Sequence, residues 1–257
     1  MALNAPNPSS SNPAWKSLRN ATLDRTVGDT LTRGDIAVRT AFLLLACIGG
    51  AAVGWIGVLD GLIPMQSLFG ISIACGLTYL ALGIAISFKP LWAQFLATPA
   101  VTVQGVTLGL ISMLFDTRYH GIASLALMAT LSVGVVSWAA YSAGLIKPTQ
   151  RFISIVQIAT ISVAVLYGVN LLLTAFVPAN PLNAFFYGNS LLSIGFSLLM
   201  VGLAAANLVV DYAQADALIQ QRVPRAYAWI AAWAVTVTLI WMYVEMLKLL
   251  AKLNSRR

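Results

Sequence analysis

Charge is scarce in this chain. Of 257 residues only 9% are Asp, Glu, Lys or Arg, where a soluble globular domain carries about 25%. That scarcity excludes a soluble enzyme and, beside 59% hydrophobic residues, a disordered chain as well. Cysteine is nearly absent too: Cys47 and Cys75 both lie inside apolar runs and read as small hydrophobes, with no disulfide framework. The one histidine, His120, follows Asp116-Thr-Arg-Tyr and has no second ligand for a metal site. No serine stands in a Gly-x-Ser-x-Gly setting, which argues against a serine hydrolase. Acidic residues are the rarest charges, eight against fifteen basic ones. The basic residues are scattered between apolar runs and form no stripe, so no nucleic-acid partner is expected.

What is present is long apolar sequence, with a mean hydropathy of +0.84. A transmembrane helix needs about 20 mostly apolar residues. The uncharged runs are 40–59, 61–88, 91–115, 121–146, 152–210 and 226–244. The fifth is too long for one crossing, and the prolines of Val177-Pro-Ala-Asn-Pro181 break it into spans near 152–176 and 187–210. The expectation is an all-α integral membrane protein, a seven-transmembrane-helix bundle whose partner is the lipid bilayer. Residues 1–34, rich in Asn, Pro and Ser, read as a flexible cytoplasmic tail; without an apolar core they are no signal peptide. Thr32 and Asp35 have the spacing of a capping box at the entry to the first span. The membrane domain then covers 35–253, and 254–257 form a short basic C-terminal tail.

Orientation follows from Lys and Arg. With the N-terminus cytoplasmic, that side carries ten basic residues and the opposite side five, which fits the positive-inside rule. The basic C-terminus, placed outside by an odd number of spans, runs against the bias. Small residues one turn apart, Gly50 and Gly54, Gly105 and Gly109, and Gly202 and Ala206, would let helix backbones approach.

Ionisable groups within a bilayer cost about 2.5–3.5 kcal/mol each on insertion scales, so each one demands a reason. Asp211 closes the sixth predicted span, with Asn207 one turn earlier on the same face. Glu245 lies late in the seventh with Lys248 at i+3, and Lys89 ends the second just before Pro90. Lys89 and Asp211 either mark the membrane boundary or pair with each other at the cytoplasmic helix ends. If the last two helices turn near Arg222 to Pro224, Asp211 and Glu245 differ in depth by roughly 15 Å, too far for a hydrogen-bonded dyad. Thr236 and Thr238 fall at the depth of Asp211. An aspartyl intramembrane protease, which needs two carboxylates sharing a proton, is therefore disfavoured, and no enzymatic activity is expected.

With seven spans, the Asp211 context and the terminal segment from Tyr227-Ala-Trp-Ile to Trp241-Met-Tyr-Val-Glu245-Met-Leu-Lys248, the chain resembles the Bax inhibitor-1/YccA family, closest to its bacterial branch. Asn12-Pro-Ala-Trp15, Asp35-Ile-Ala-Val-Arg39, Ile86-Ser-Phe-Lys89 and Arg118-Tyr-His-Gly-Ile122 add to the likeness. The resemblance implies a fold with the last helix central, a bacterial cytoplasmic membrane location and a pH-sensitive calcium leak. It also implies that Asp211 matches the sixth-helix aspartate of a di-aspartyl pH sensor, and that Lys89 is a candidate latch. The sequence departs from that pattern near Thr236 and Thr238, where the second aspartate is replaced by hydroxyls, and Glu245 could substitute only after a shift of about two turns. Gln104 stands, neutral, where close relatives carry glutamate.

Two functions follow as expectations. One is a cation leak gated by protonation of Asp211, with Asn207, Thr236, Thr238 and Glu245 along the ion path. Asp211 would then be a transient calcium ligand, and no resident cofactor would be needed. The other is a non-conducting regulatory protein acting through contacts with other membrane proteins. Neither fixes an oligomeric state.

Overall fold

The computed structural model of this protein describes residues 30–146, 148–177 and 180–255. The tail before Thr30 with its Asn12-Pro-Ala-Trp15 segment, Lys147, Pro178, Ala179, Arg256 and Arg257 lie outside the described residues. Seven long helices follow one another: α1 (Arg33–Leu59), α2 (Leu68–Phe88), α3 (Ala93–Arg118), α4 (Ile122–Ser142), α5 (Gln150–Phe176), α6 (Leu191–Gln220) and α7 (Ala228–Asn254). A short helix, Pro181–Tyr187, fills the break between α5 and α6. All seven long helices are apolar and long enough to cross a membrane, and no strand occurs among the described residues. The protein is an all-α, seven-helix membrane bundle.

Helix ends follow capping chemistry more than hydropathy. The α1 helix starts well ahead of its uncharged run because Thr32 and Asp35 form a reciprocal capping box, each side chain accepting the other's backbone N–H at 3.2 Å. The α6 helix continues to Gln220, so Asp211 does not close it; about two and a half turns lie beyond. The reason is that Tyr212-Ala-Gln-Ala-Asp-Ala-Leu-Ile-Gln220 contains no Gly or Pro and favours helix even where it is no longer apolar. Likewise α7 runs to Asn254 and carries Lys248 and Lys252 inside it.

Glycine lets α1 and α3 touch. A Cβ on Gly50 would strike the Thr102 carbonyl, one on Gly105 the Cys47 carbonyl, and one on Gly109 the Ala51 carbonyl. Gly54 is similarly pressed against Val106. Two of the three expected small-residue pairs thus make a single backbone-to-backbone seam, where dispersion gains from close approach replace the hydrophobic drive that lipid does not supply. Gly202 has open space around it among the described residues, so the third pair forms no such contact.

Burial is uneven along the chain. Of its apolar window, α7 has 67% buried, whereas α2 and α5 have 6% each. Large apolar side chains such as Phe69, Phe88 and Leu171 stand exposed, as lipid-facing residues should. The chain divides into two compact units. One holds the described residues up to Leu114 together with Ala213–Val237, and the other those of Phe115–Tyr212 together with the described residues from Thr238 onward. Both α6 and α7 contribute to each.

Gly105→Ala should destabilise the protein by about 1–3 kcal/mol through overpacking, read as a lower melting temperature in detergent. Gly76→Ala, at a helical site with nothing within 4 Å, should leave melting unchanged or raise it.

Candidate functional site

The second unit holds most of the polar residues that the sequence singles out. Asp211, half-buried on α6, accepts a hydrogen bond from the Thr238 hydroxyl on α7 at 2.6 Å. One turn earlier Asn207 donates to the Thr160 hydroxyl on α5 at 2.7 Å and to its own helix at the Leu203 carbonyl, 2.9 Å away. On one face of α6, then, a carboxylate is tied to α7 and an amide to α5. Tyr212, next to Asp211, donates to the Gly134 carbonyl of α4 at 3.3 Å. Thr236 is fully buried, and its hydroxyl is spent on the Ala232 carbonyl of its own helix at 2.8 Å. Among the described residues Asp211 forms no ion pair.

Glu245 belongs to a different cluster. Only 2% exposed, it accepts from Lys248 Nζ at 2.7 Å, from the Tyr167 hydroxyl at 3.0 Å and from Trp241 Nε1 at 3.2 Å. The Lys248 ammonium also lies 4.9 Å over the Tyr167 ring. A carboxylate with three donors, one of them a cation, is a satisfied buried ion. Thr238 and Glu245 are separated along α7 by roughly 10 Å, so the carboxylate that Thr238 holds is not shared with Glu245. Lys89 sits in the first unit, its ammonium 4.4 Å over the ring of Trp92.

Sequence reasoning missed Lys252, Ser193 and Ser197. Lys252 is 5% exposed and donates to the Ser197 hydroxyl at 2.7 Å and the Ser193 carbonyl at 3.2 Å. The signal was available: Glu245, Lys248 and Lys252 recur at i, i+3 and i+7, one face of a helix. Ending α7 too early hid it. The serines carried no signal, since they lie in an ordinary apolar span.

Chemically, Asp211 and Thr238 offer a carboxylate and a hydroxyl, with the Asn207 amide one turn away. Calcium takes six to eight oxygen ligands in a stable site. Among the described residues no three His, Cys, Asp or Glu gather where a metal ion could be held.

The model of the family described as Bax inhibitor 1 like matches residues 7–255 of the chain. No curated protein and no solved structure matches it.

Glu245→Ala should cost about 3 kcal/mol, because it strands the Lys248 ammonium in a half-buried setting. Arg33→Ala, which breaks an exposed pair with Asp216, should cost about 0–1 kcal/mol. Thermal melts of the two variants in one detergent compare the losses directly.

Proposed function

The chain belongs to the Bax inhibitor 1 like family, and from that premise we propose that it is a pH-sensitive cation leak, passing calcium, with protonation of Asp211 as its gate. The observation that carries this reading is the 2.6 Å hydrogen bond from Thr238 to Asp211, a carboxylate within a membrane span tied to the neighbouring helix with no cation beside it among the described residues. A hydrogen bond to an ionised acceptor is about twice as strong as one to a neutral acceptor. Adding the proton therefore weakens the tie between α6 and α7 and admits other arrangements of the two helices. That no three His, Cys, Asp or Glu gather among the described residues supports transit over storage.

Lys89 enters as the latch that the family resemblance suggests. Glu245 has no place in the gate, because Lys248, Tyr167 and Trp241 already hold it. The proposed setting is the bacterial cytoplasmic membrane with the N-terminus cytoplasmic. Support comes from the C-terminal discord: Lys248 and Lys252 are tied inside the bundle by Glu245, Ser193 and Ser197 and are not loop charges. Removing both from the outer side leaves three basic residues there against ten.

Calcium flux into liposomes tests the gate. Wild type should leak more as pH falls, whereas Asp211→Asn, neutral at every pH, should leak at a pH-independent, raised rate. Thr238→Val should shift the profile toward leak at higher pH, and Lys89→Gln, which removes the proposed latch, should leak at alkaline pH. Identical pH profiles for wild type and Asp211→Asn would overturn the gate, and no flux from either would leave the non-conducting regulator. For orientation, a cysteine replacing Ser255 in a chain freed of Cys47 and Cys75 should react with an impermeant maleimide added outside intact cells.

A further inference from the structure

The first unit contains a cluster that the leak does not use. At the start of α1, Asp35 accepts from Arg225 Nε at 2.6 Å and from Arg39 Nη1 at 3.1 Å, besides its bond from Thr32. Asp35 and Arg225 are 190 apart in sequence. Beside them opens a cleft of about 790 Å³, lined also by Val38, Phe42 and Trp229. The Arg39 guanidinium lies 5.4 Å over the Trp229 ring, and Phe42 meets the same ring edge-on at 6.0 Å.

Among the described residues lining the cleft, two guanidiniums share one carboxylate. Arg39 Nε is buried with no hydrogen-bond partner among the described residues. The first turn of α1 and the Arg225–Tyr227 turn leading into α7 meet here, and the positive ends of both helix dipoles add to the field. Arg225 remains 53% exposed at the rim.

Depth identifies the occupant. Arg39 immediately precedes the uncharged run 40–59 and Arg225 the run 226–244, so both cations stand at the hydrocarbon edge, the level of lipid phosphates. Val38, level with Arg39, is 70% exposed, and deeper along α1 Phe42 and Leu45 are exposed at 49% and 68%. At i, i+4 and i+7 they make a continuous apolar track down one face of α1. A basic pocket between helices, an aromatic wall and an apolar track beneath suit a ligand with an anionic head and an acyl chain.

We propose that the Asp35–Arg39–Arg225 cleft binds one anionic phospholipid of the surrounding leaflet, its phosphate at the two arginines and an acyl chain along Val38, Phe42 and Leu45. Arginine suits this role because its planar fork engages two phosphate oxygens at once. The site is independent of whether the protein conducts ions.

The full chain in dodecyl maltoside, titrated with palmitoyl-oleoyl phosphatidylglycerol or phosphatidylcholine and followed by native mass spectrometry, tests the site. Wild type should retain the anionic lipid in preference to the zwitterionic one. Arg225→Gln should lose about fivefold in that preference, the weight of one basic residue at a membrane surface. Thr30→Asp, which adds a negative charge at the rim and removes no arginine, should lose a similar factor and covers the case in which Arg225→Gln does not fold. Val38→Gln should weaken retention through the chain. Arg118→Gln, at an exposed arginine of another helix end, should behave as wild type. Selectivity unchanged in both Arg225→Gln and Thr30→Asp would overturn the proposal. So would displacement of the lipid by equimolar glycerol phosphate, which would mark a site for a soluble anion.

Discussion

In hydrocarbon a polar group that no protein atom answers has no water to turn to, and that constraint organises this structure. Few ionisable side chains enter the spans, and four of the described ones show how such groups are engaged. Asp211 takes a hydroxyl, Glu245 an ammonium with two further donors, Lys252 a hydroxyl and a carbonyl, and Asp35 two guanidiniums. The kind of partner sets what each group is able to do. Glu245 with its cation is a fixed strut, because removing either charge strands the other. Asp211 has only a hydroxyl to lose, so changing its charge alters a single bond between two helices and leaves no second ion unpaired.

The α1–α3 seam shows the same constraint acting on backbone. Since apolar surface gains little by leaving lipid for protein, contact there depends on glycines that let carbonyl and Cα atoms meet. The α2 and α5 helices, with few buried residues, turn most of their surface to lipid. The enclosed α7 carries the polar partners of both units. Thr238 and Glu245 serve one, and Arg225, just ahead of the helix, serves the other.

The number of spans was legible because hydropathy and the Pro178, Pro181 break are local properties. Helix ends were less so: α6 and α7 run on past the apolar runs, since a helix needs good helix formers there and not hydrocarbon. That difference moved Asp211 from the end of α6 to its interior and brought Lys252 into α7. Facing residues across a single turn could be inferred from rise per residue. Counting outward from Arg222 to Pro224 put Thr236 and Thr238 level with Asp211, and Thr238 makes the bond while Thr236 turns back on its own helix.

Sequence by itself determined that this is a seven-helix membrane protein, that α1 begins at the Thr32–Asp35 box, and that the few buried charges must find partners. These follow from composition, periodicity and spacing within a single element. Tertiary structure alone decided which partner each charge found: Asp35 with Arg225 across 190 positions, Lys252 with Ser197 across 55, Asn207 with Thr160 across 47. Those pairings depend on how helices rotate about their axes when packed. A rotation of one residue, about 100°, exchanges one set of partners for another without changing any local propensity.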